Sequence, residues 1–168
     1  MNETIAKSLK IAEDDCPLTF GPLNHPATMA DLLNSLRPYD WQMAIWDAVF
    51  RPGSQVAART CNGSGKTSLV VPMLAVTWAA AFPGSQCVIT SASDDQIKLQ
   101  LWPAIRSLVS NLAGWDTTAD RIYAPSVNGL ERSVIAIRVT KTGERFEGFH
   151  ERWYPDNDGK QVFSPLLI

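Results

Sequence analysis

Eight consecutive residues, Thr60-Cys61-Asn62-Gly63-Ser64-Gly65-Lys66-Thr67, constrain the fold more than any other stretch of the chain. A short apolar segment, Val56 to Ala58, leads in, and an apolar run from Leu69 to Phe82 leads out. Gly63 and Gly65 allow backbone angles and close approaches that larger side chains hinder. The pattern predicts a strand, a glycine-rich turn and then a helix from about Gly65 to Ala81. The apolar run spans fourteen residues, fewer than the roughly twenty needed to cross a bilayer. It therefore reads as a buried helix. Pro72 falls inside it and should kink it or force a local adjustment.

The spacing of the eight residues is that of a phosphate-binding loop, Gly-x4-Gly-Lys-Ser/Thr, with Thr60 in place of the first Gly. A nucleoside triphosphate carries dense negative charge. Such a loop turns its backbone N–H groups toward that charge, and the following helix adds its positive end. Thr60, Cys61, Asn62, Gly63, Ser64, Gly65, Lys66 and Thr67 are thus the expected nucleotide contacts, with ATP and Mg²⁺ as the ligands. Lys66 is expected near the β- and γ-phosphates, and Thr67 is expected to offer its hydroxyl to the metal. Arg59, just before the loop, could reach the γ-phosphate and stabilise transition-state charge; a surface arginine without a role in rate is the alternative. Lys66 and Arg59 are the catalytic candidates. Upstream, Gln42 offers one acceptor and two donors, which matches the edge of an adenine. Tyr39 or Trp41 could cover the ring face.

With 168 residues, 45% hydrophobic and 19% charged, the chain is long enough for one domain with a real core. A net charge of −2 gives no sign of a polyanion partner, although a local basic groove fits within a neutral total. Between Arg121 and Lys160 seven lysines and arginines stand against six acids, or seven with Asp120, so no basic patch is visible there. Cys16, Cys61 and Cys87 are scattered and odd in number, which suits neither zinc nor a disulfide framework. They read as thiols of a reducing cytoplasm. Neither His25 nor His150 is tied to a cysteine, which argues against a catalytic thiol. The acidic N-terminus is no signal peptide.

Along the chain, Ile5, Leu9 and Ala12 suggest an N-terminal helix, and Cys16 to Pro26 reads as a linker. Thr28 could cap a short helix ending near Arg37-Pro38, and Asp40 could cap another from Trp41 to Phe50. Gln86 to Thr90 reads as a strand. Ser93 and Gln96 form a capping box for a helix from Asp94 to about Leu112, which Pro103 divides. A short strand at Arg121 to Ala124 and a longer one at Ser133 to Thr140 follow. Glu144 to His150 reads as a strand end or loop, and Asn157-Asp158-Gly159 as a tight turn. Residues 1–36 form an N-terminal helical segment and linker, and residues 37–168 a partial nucleotide-binding domain. The alternation predicts an α/β fold with a parallel sheet.

Several segments together resemble the ATPase domain of the large terminase subunit, the DNA-packaging motor of tailed phages. Tyr39-Asp40-Trp41-Gln42 looks like its adenine-recognition motif. Ala58 to Thr67 resembles its Walker A segment, where the first Gly is often replaced and an arginine is common. Val88-Ile89-Thr90-Ser91-Ala92-Ser93, then Gln96 and Gln100-Leu101-Trp102, is similar to the segment after its second strand, with Ser-Ala-Ser in place of Ala-Pro-Thr. Phe146-Glu147-Gly148-Phe149-His150 is similar to a stretch before its Walker B strand. The resemblance covers roughly Arg37 to Ile168. It implies a RecA-like (ASCE) P-loop fold and ATP hydrolysis coupled to translocation of double-stranded DNA in the host cytoplasm. It also implies a following nuclease domain, a small terminase subunit and portal as partners, and an oligomer only in the full-length motor.

Hydrolysis further needs an acid at the end of an apolar strand. Ser133 to Thr140 runs into Lys141, and Asp94-Asp95 fits a helix start better. Leu166-Leu167-Ile168 is the remaining strand candidate, so the acids are expected beyond it and the chain reads as an N-terminal fragment, truncated before or at the Walker B strand. On that reading it turns ATP over poorly by itself. The alternatives are a superfamily 2 helicase fragment, a small P-loop kinase for which no lid arginines are evident, and a non-catalytic nucleotide-binding module.

Overall fold

The computed structural model describes residues 26–34, 37–51, 54–91, 93, 95–110, 112–126, 131–139, 152–155 and 161–164. The expected N-terminal helix, the Phe146 to His150 segment, the Asn157-Asp158-Gly159 turn and the Leu166 to Ile168 run lie outside them.

Two helices come first, α1 (Pro26–Asn34) and α2 (Asp40–Val49). Helix α1 begins at Pro26 rather than at Thr28. Proline suits a first helical turn, because its missing N–H has no partner there anyway. Ala27 and Ala30 are fully buried and join the same core as the following elements. Helix α2 starts one residue earlier than the sequence suggested. Tyr39 is its N-cap, and the Gln42 side chain accepts the Tyr39 N–H at 3.0 Å.

The expected strand at Val56 to Ala58 does not form. Residues 54–60 are coil, and Val56 is 40% exposed. A strand needs a ladder to satisfy its backbone, and this segment joins neither described sheet.

The helix after the glycines does form, in two parts: a π turn over Lys66–Val70 and then α3 (Val71–Ala81). Val71 donates its N–H to the Lys66 carbonyl, five residues back. Pro72 has no N–H to give and its ring crowds the carbonyl four residues earlier. The wider turn just before it absorbs both problems. The same device recurs at Pro103, where a π turn over Gln96–Leu101 precedes α4 (Trp102–Val109) and Trp102 donates to the Ile97 carbonyl. Pro72 is thus met by the local adjustment expected of it, and the helix expected to divide at Pro103 consists of a π turn and an α-helical part.

Helix α3 is apolar except for Thr77, and its residues from Pro72 to Ala79 are buried on every side, as suits such a helix. It touches α1 and α4 as well as two strands, β1 (Gln86–Ser91) and β4 (Val134–Val139). Between those strands in sequence come two short ones, β2 (Asp116–Thr117) and β3 (Arg121–Tyr123). The sheet order is β1-β4-β3-β2. Strands β1 and β4 run parallel, with Gln86 opposite Val134 and Ser91 opposite Val139. β3 pairs antiparallel with both β4 and β2. The fold is α/β, but the sheet is mixed rather than all parallel. The compact turn around Thr118 explains the difference: its hydroxyl accepts the Arg121 N–H at 3.0 Å, so the chain reverses before a crossover can begin. Cys87, Val88 and Ile89 are buried in succession, so both faces of β1 are covered.

A separate hairpin pairs β5 (Arg152–Pro155) with β6 (Gln161–Ser164). Among the described residues no helix is long and apolar enough to cross a membrane.

Candidate functional site

The glycine-rich loop forms one wall of a cleft of about 710 Å³. Asn62 to Ser68 make that wall, and Gln96 and Gln100 face them from the second π turn. The two π turns touch each other, which fixes the walls together. The cleft lies by the carboxyl end of β1, where the Ser91 hydroxyl reaches Gln96 Oε1 at 3.4 Å. Ligands of α/β proteins commonly bind at that end of the strands.

Gly63 and Gly65 both adopt the left-handed region, with φ of 76° and 89°. Their turns bring successive amides to the mouth of the cleft. Among the described residues the backbone N–H groups from Gly65 to Ser68 have no backbone acceptor, whereas Leu69 and Val70 both donate to the Gly65 carbonyl, at 2.9 and 3.1 Å. A row of unpaired donors at a helix start is an anion-binding arrangement.

Lys66 is folded back into the loop. Its Nζ donates to Thr60 Oγ1 at 2.6 Å, to the Thr60 carbonyl at 3.2 Å, to the Cys61 carbonyl at 2.9 Å and to Ser64 Oγ at 3.3 Å. Thr60 and Ser64 join their hydroxyls at 2.9 Å. The threonine in the first-glycine position thus supplies an oxygen that holds the lysine, while Gly63 and Gly65 carry positive φ. Thr67 lies in the cleft beside Lys66. Cys61 carries an exposed free thiol.

Gln42 meets this loop from below. It is 2% exposed, its Oε1 is taken by the Tyr39 N–H, and its Nε2 donates to the Ser64 carbonyl at 3.2 Å. It braces the loop and does not line the cleft. Tyr39 is 70% exposed, while Trp41 packs against the core. A second brace is Trp46, whose buried indole donates to the Val70 carbonyl at 3.2 Å. Arg59 is exposed in the coil before the loop and does not line the cleft.

Besides Ser68, which continues the loop, Gln96 and Gln100 are the cleft residues that the sequence did not assign. Gln96 read as a capping residue, and its N–H does point to Ser93 Oγ at 3.5 Å. The readable signal was their four-residue spacing at a helix start just after a strand. No group of three His, Cys, Asp or Glu side chains gathers among the described residues. Compared with protein-family models, with curated proteins and with solved structures, the chain matches none of them.

Proposed function

We propose that this chain binds ATP with Mg²⁺ in the cleft between Asn62–Ser68 and Gln96–Gln100, as the nucleotide-holding part of a DNA-packaging motor ATPase of the terminase type. The observation that carries the binding reading is the row of amides from Gly65 to Ser68, without backbone acceptors among the described residues, beside the Lys66 ammonium. A phosphate chain satisfies those donors together and draws Lys66 out of its contacts with Thr60 and Ser64. The Thr67 hydroxyl, with phosphate oxygens, would hold Mg²⁺, which neutralises phosphate charge. Tyr39, 70% exposed, would cover the base on this reading, and Gln42 braces the loop through the Ser64 carbonyl. Arg59 reaches a phosphate only if residues 54–60 close over the cleft.

The parallel β1–β4 pair, with helix α3 packed on it, supports a RecA-like arrangement. The motor assignment rests on the order of Gln42, the loop, Gln96 and Gln100-Leu101-Trp102 along the chain. Partners on this reading are double-stranded DNA, a small terminase subunit and a portal.

Equilibrium binding of ATP with Mg²⁺ tests the proposal directly. The wild-type chain should bind, and Lys66→Ala should weaken binding at least about tenfold, as expected for losing a charge-assisted contact. Failure of the wild-type chain to bind any nucleotide overturns the reading. The motor assignment is tested by packaging assays with the assembled motor, in which Lys66→Ala should abolish ATP-driven DNA uptake.

A further inference from the structure

The wall opposite the loop is made of two neutral carboxamides. Gln96 and Gln100 both belong to the π turn over Gln96–Leu101, four residues apart, and both line the cleft together with Lys66, Thr67 and Ser68. Their neighbours Ile97 and Leu101 are buried at 1% and 7% exposure. Those apolar anchors hold the turn against the core and leave the glutamines on the cleft side.

The two amides are differently prepared. Gln96 Oε1 takes the Ser91 hydroxyl at 3.4 Å, so its oxygen is turned to the strand end and its Nε2 donors are left for the cleft. Gln100 has no protein partner for either end of its amide among the described residues. Two exposed glutamines facing an ammonium and a row of bare N–H groups form a donor-rich, uncharged wall. Such a wall suits oxygen atoms that are already neutralised from the other side.

From this arrangement we infer that Gln96 and Gln100 form a subsite for the terminal phosphate, by which the cleft distinguishes a nucleoside triphosphate from a diphosphate. The inference rests on the nucleotide reading above and adds the residues that set its selectivity. Gln96 Nε2 donates to a γ-phosphate oxygen. Gln100 donates to a second one or holds a water against it, since an amide can do either. The loop amides hold the inner phosphates, which both nucleotides share.

The test compares two ligands on one protein. Affinities for ADP and for the non-hydrolysable β,γ-imido analogue of ATP, each with Mg²⁺, are measured on the wild type, Gln96→Ala, Gln100→Ala and the double variant. Thermal midpoints are recorded alongside. Alanine is a strong helix former and both side chains are exposed, so the fold should hold. The double variant should lose about tenfold or more in affinity for the triphosphate, as for one or two lost hydrogen bonds to charged oxygens, with ADP unchanged. Gln100→Glu should lose the triphosphate selectively as well, through repulsion. Equal losses for both ligands, or no loss for either, overturn the subsite. Wild-type protein that binds neither ligand overturns the nucleotide reading and this inference with it. Should the double variant lose its thermal transition, the single variants give the same comparison.

Discussion

Gln42 and Ser64 are joined by a hydrogen bond of 3.2 Å from the Gln42 side-chain amide to the Ser64 carbonyl, which ties the start of helix α2 to the middle of the glycine-rich loop. The same side chain accepts the Tyr39 N–H at 3.0 Å. One buried residue therefore caps a helix and positions a loop distant in sequence. Removing it takes the side-chain partner from two part-buried backbone groups. Gln42→Ala should lower stability by roughly 1–3 kcal/mol, as for two hydrogen bonds of about 0.5–1.5 kcal/mol each. Denaturant unfolding should show a lower midpoint at unchanged slope. Gln42→Glu keeps the acceptor for Tyr39 but sets a carboxylate against the Ser64 carbonyl, so it should be the more damaging change.

Gly65 pairs with Gln42 sterically as well. A Cβ at Gly65 would lie 3.0 Å from Gln42 Nε2, and φ there is +89°. At Gly63 φ is +76° with nothing within 4 Å of an added Cβ. Gly63→Ala should cost only the backbone term, about 1–2 kcal/mol. Gly65→Ala should cost more, because it also displaces the glutamine. In a double-mutant cycle, Gly65→Ala with Gln42→Ala should be less destabilising than the sum of the two single changes. Additive values would show that the two residues do not press on each other.

The chain's own residues explain how much of this was legible beforehand. Gln86–Ser91 and Val134–Val139 are β-rich and stand in a two-sided core, and both were readable as strands. Val56 to Ala58 carries the same local signal and forms no strand, because pairing is set by neighbours that local composition does not name. Pro72 and Pro103 announced a disturbance. That each would be absorbed by a π turn depended on packing between the two turns. The glycine-rich turn was legible because its backbone demands are local. The place of Gln96 and Gln100 in the cleft was not, because only the fold sets them opposite Lys66. The brace from Gln42 was hidden for the opposite reason: its amide suits an adenine edge and a loop carbonyl equally well.

Arg132 holds the β2–β3 hairpin to β4. Its Nε donates to the Ala124 carbonyl at 2.7 Å, its Nη1 pairs with Asp116, and its Nη2 reaches the carbonyls of Tyr123 at 3.2 Å and Gly114 at 3.4 Å. Its guanidinium also sits 5.5 Å from the centre of the Tyr123 ring. Lysine has one ammonium and cannot reach that fan of acceptors. Arg132→Lys should therefore destabilise nearly as much as Arg132→Ala, by roughly 1–3 kcal/mol. Hydrogen exchange should speed up at residues 114–124 and stay unchanged in α3.

Cys61 and Cys87 should separate cleanly under alkylation. Cys61 is exposed in the loop, while Cys87 is fully buried in β1. Burial pushes the Cys87 thiol up from 9.0 to about 12, so in the folded protein it stays neutral at ordinary pH. The thiolate is the reactive form, and burial also denies access. In a Cys16→Ser background, iodoacetamide at pH 8 should modify Cys61 alone, as read by peptide mass mapping. ATP should protect Cys61, and its modification should block nucleotide binding. Cys87 also sets an alkaline limit on stability. Its pKa is raised on folding, so its contribution is fully present below about 9, the unfolded value, and is lost as pH rises toward 12. Cys87→Ala should flatten the stability profile above pH 9.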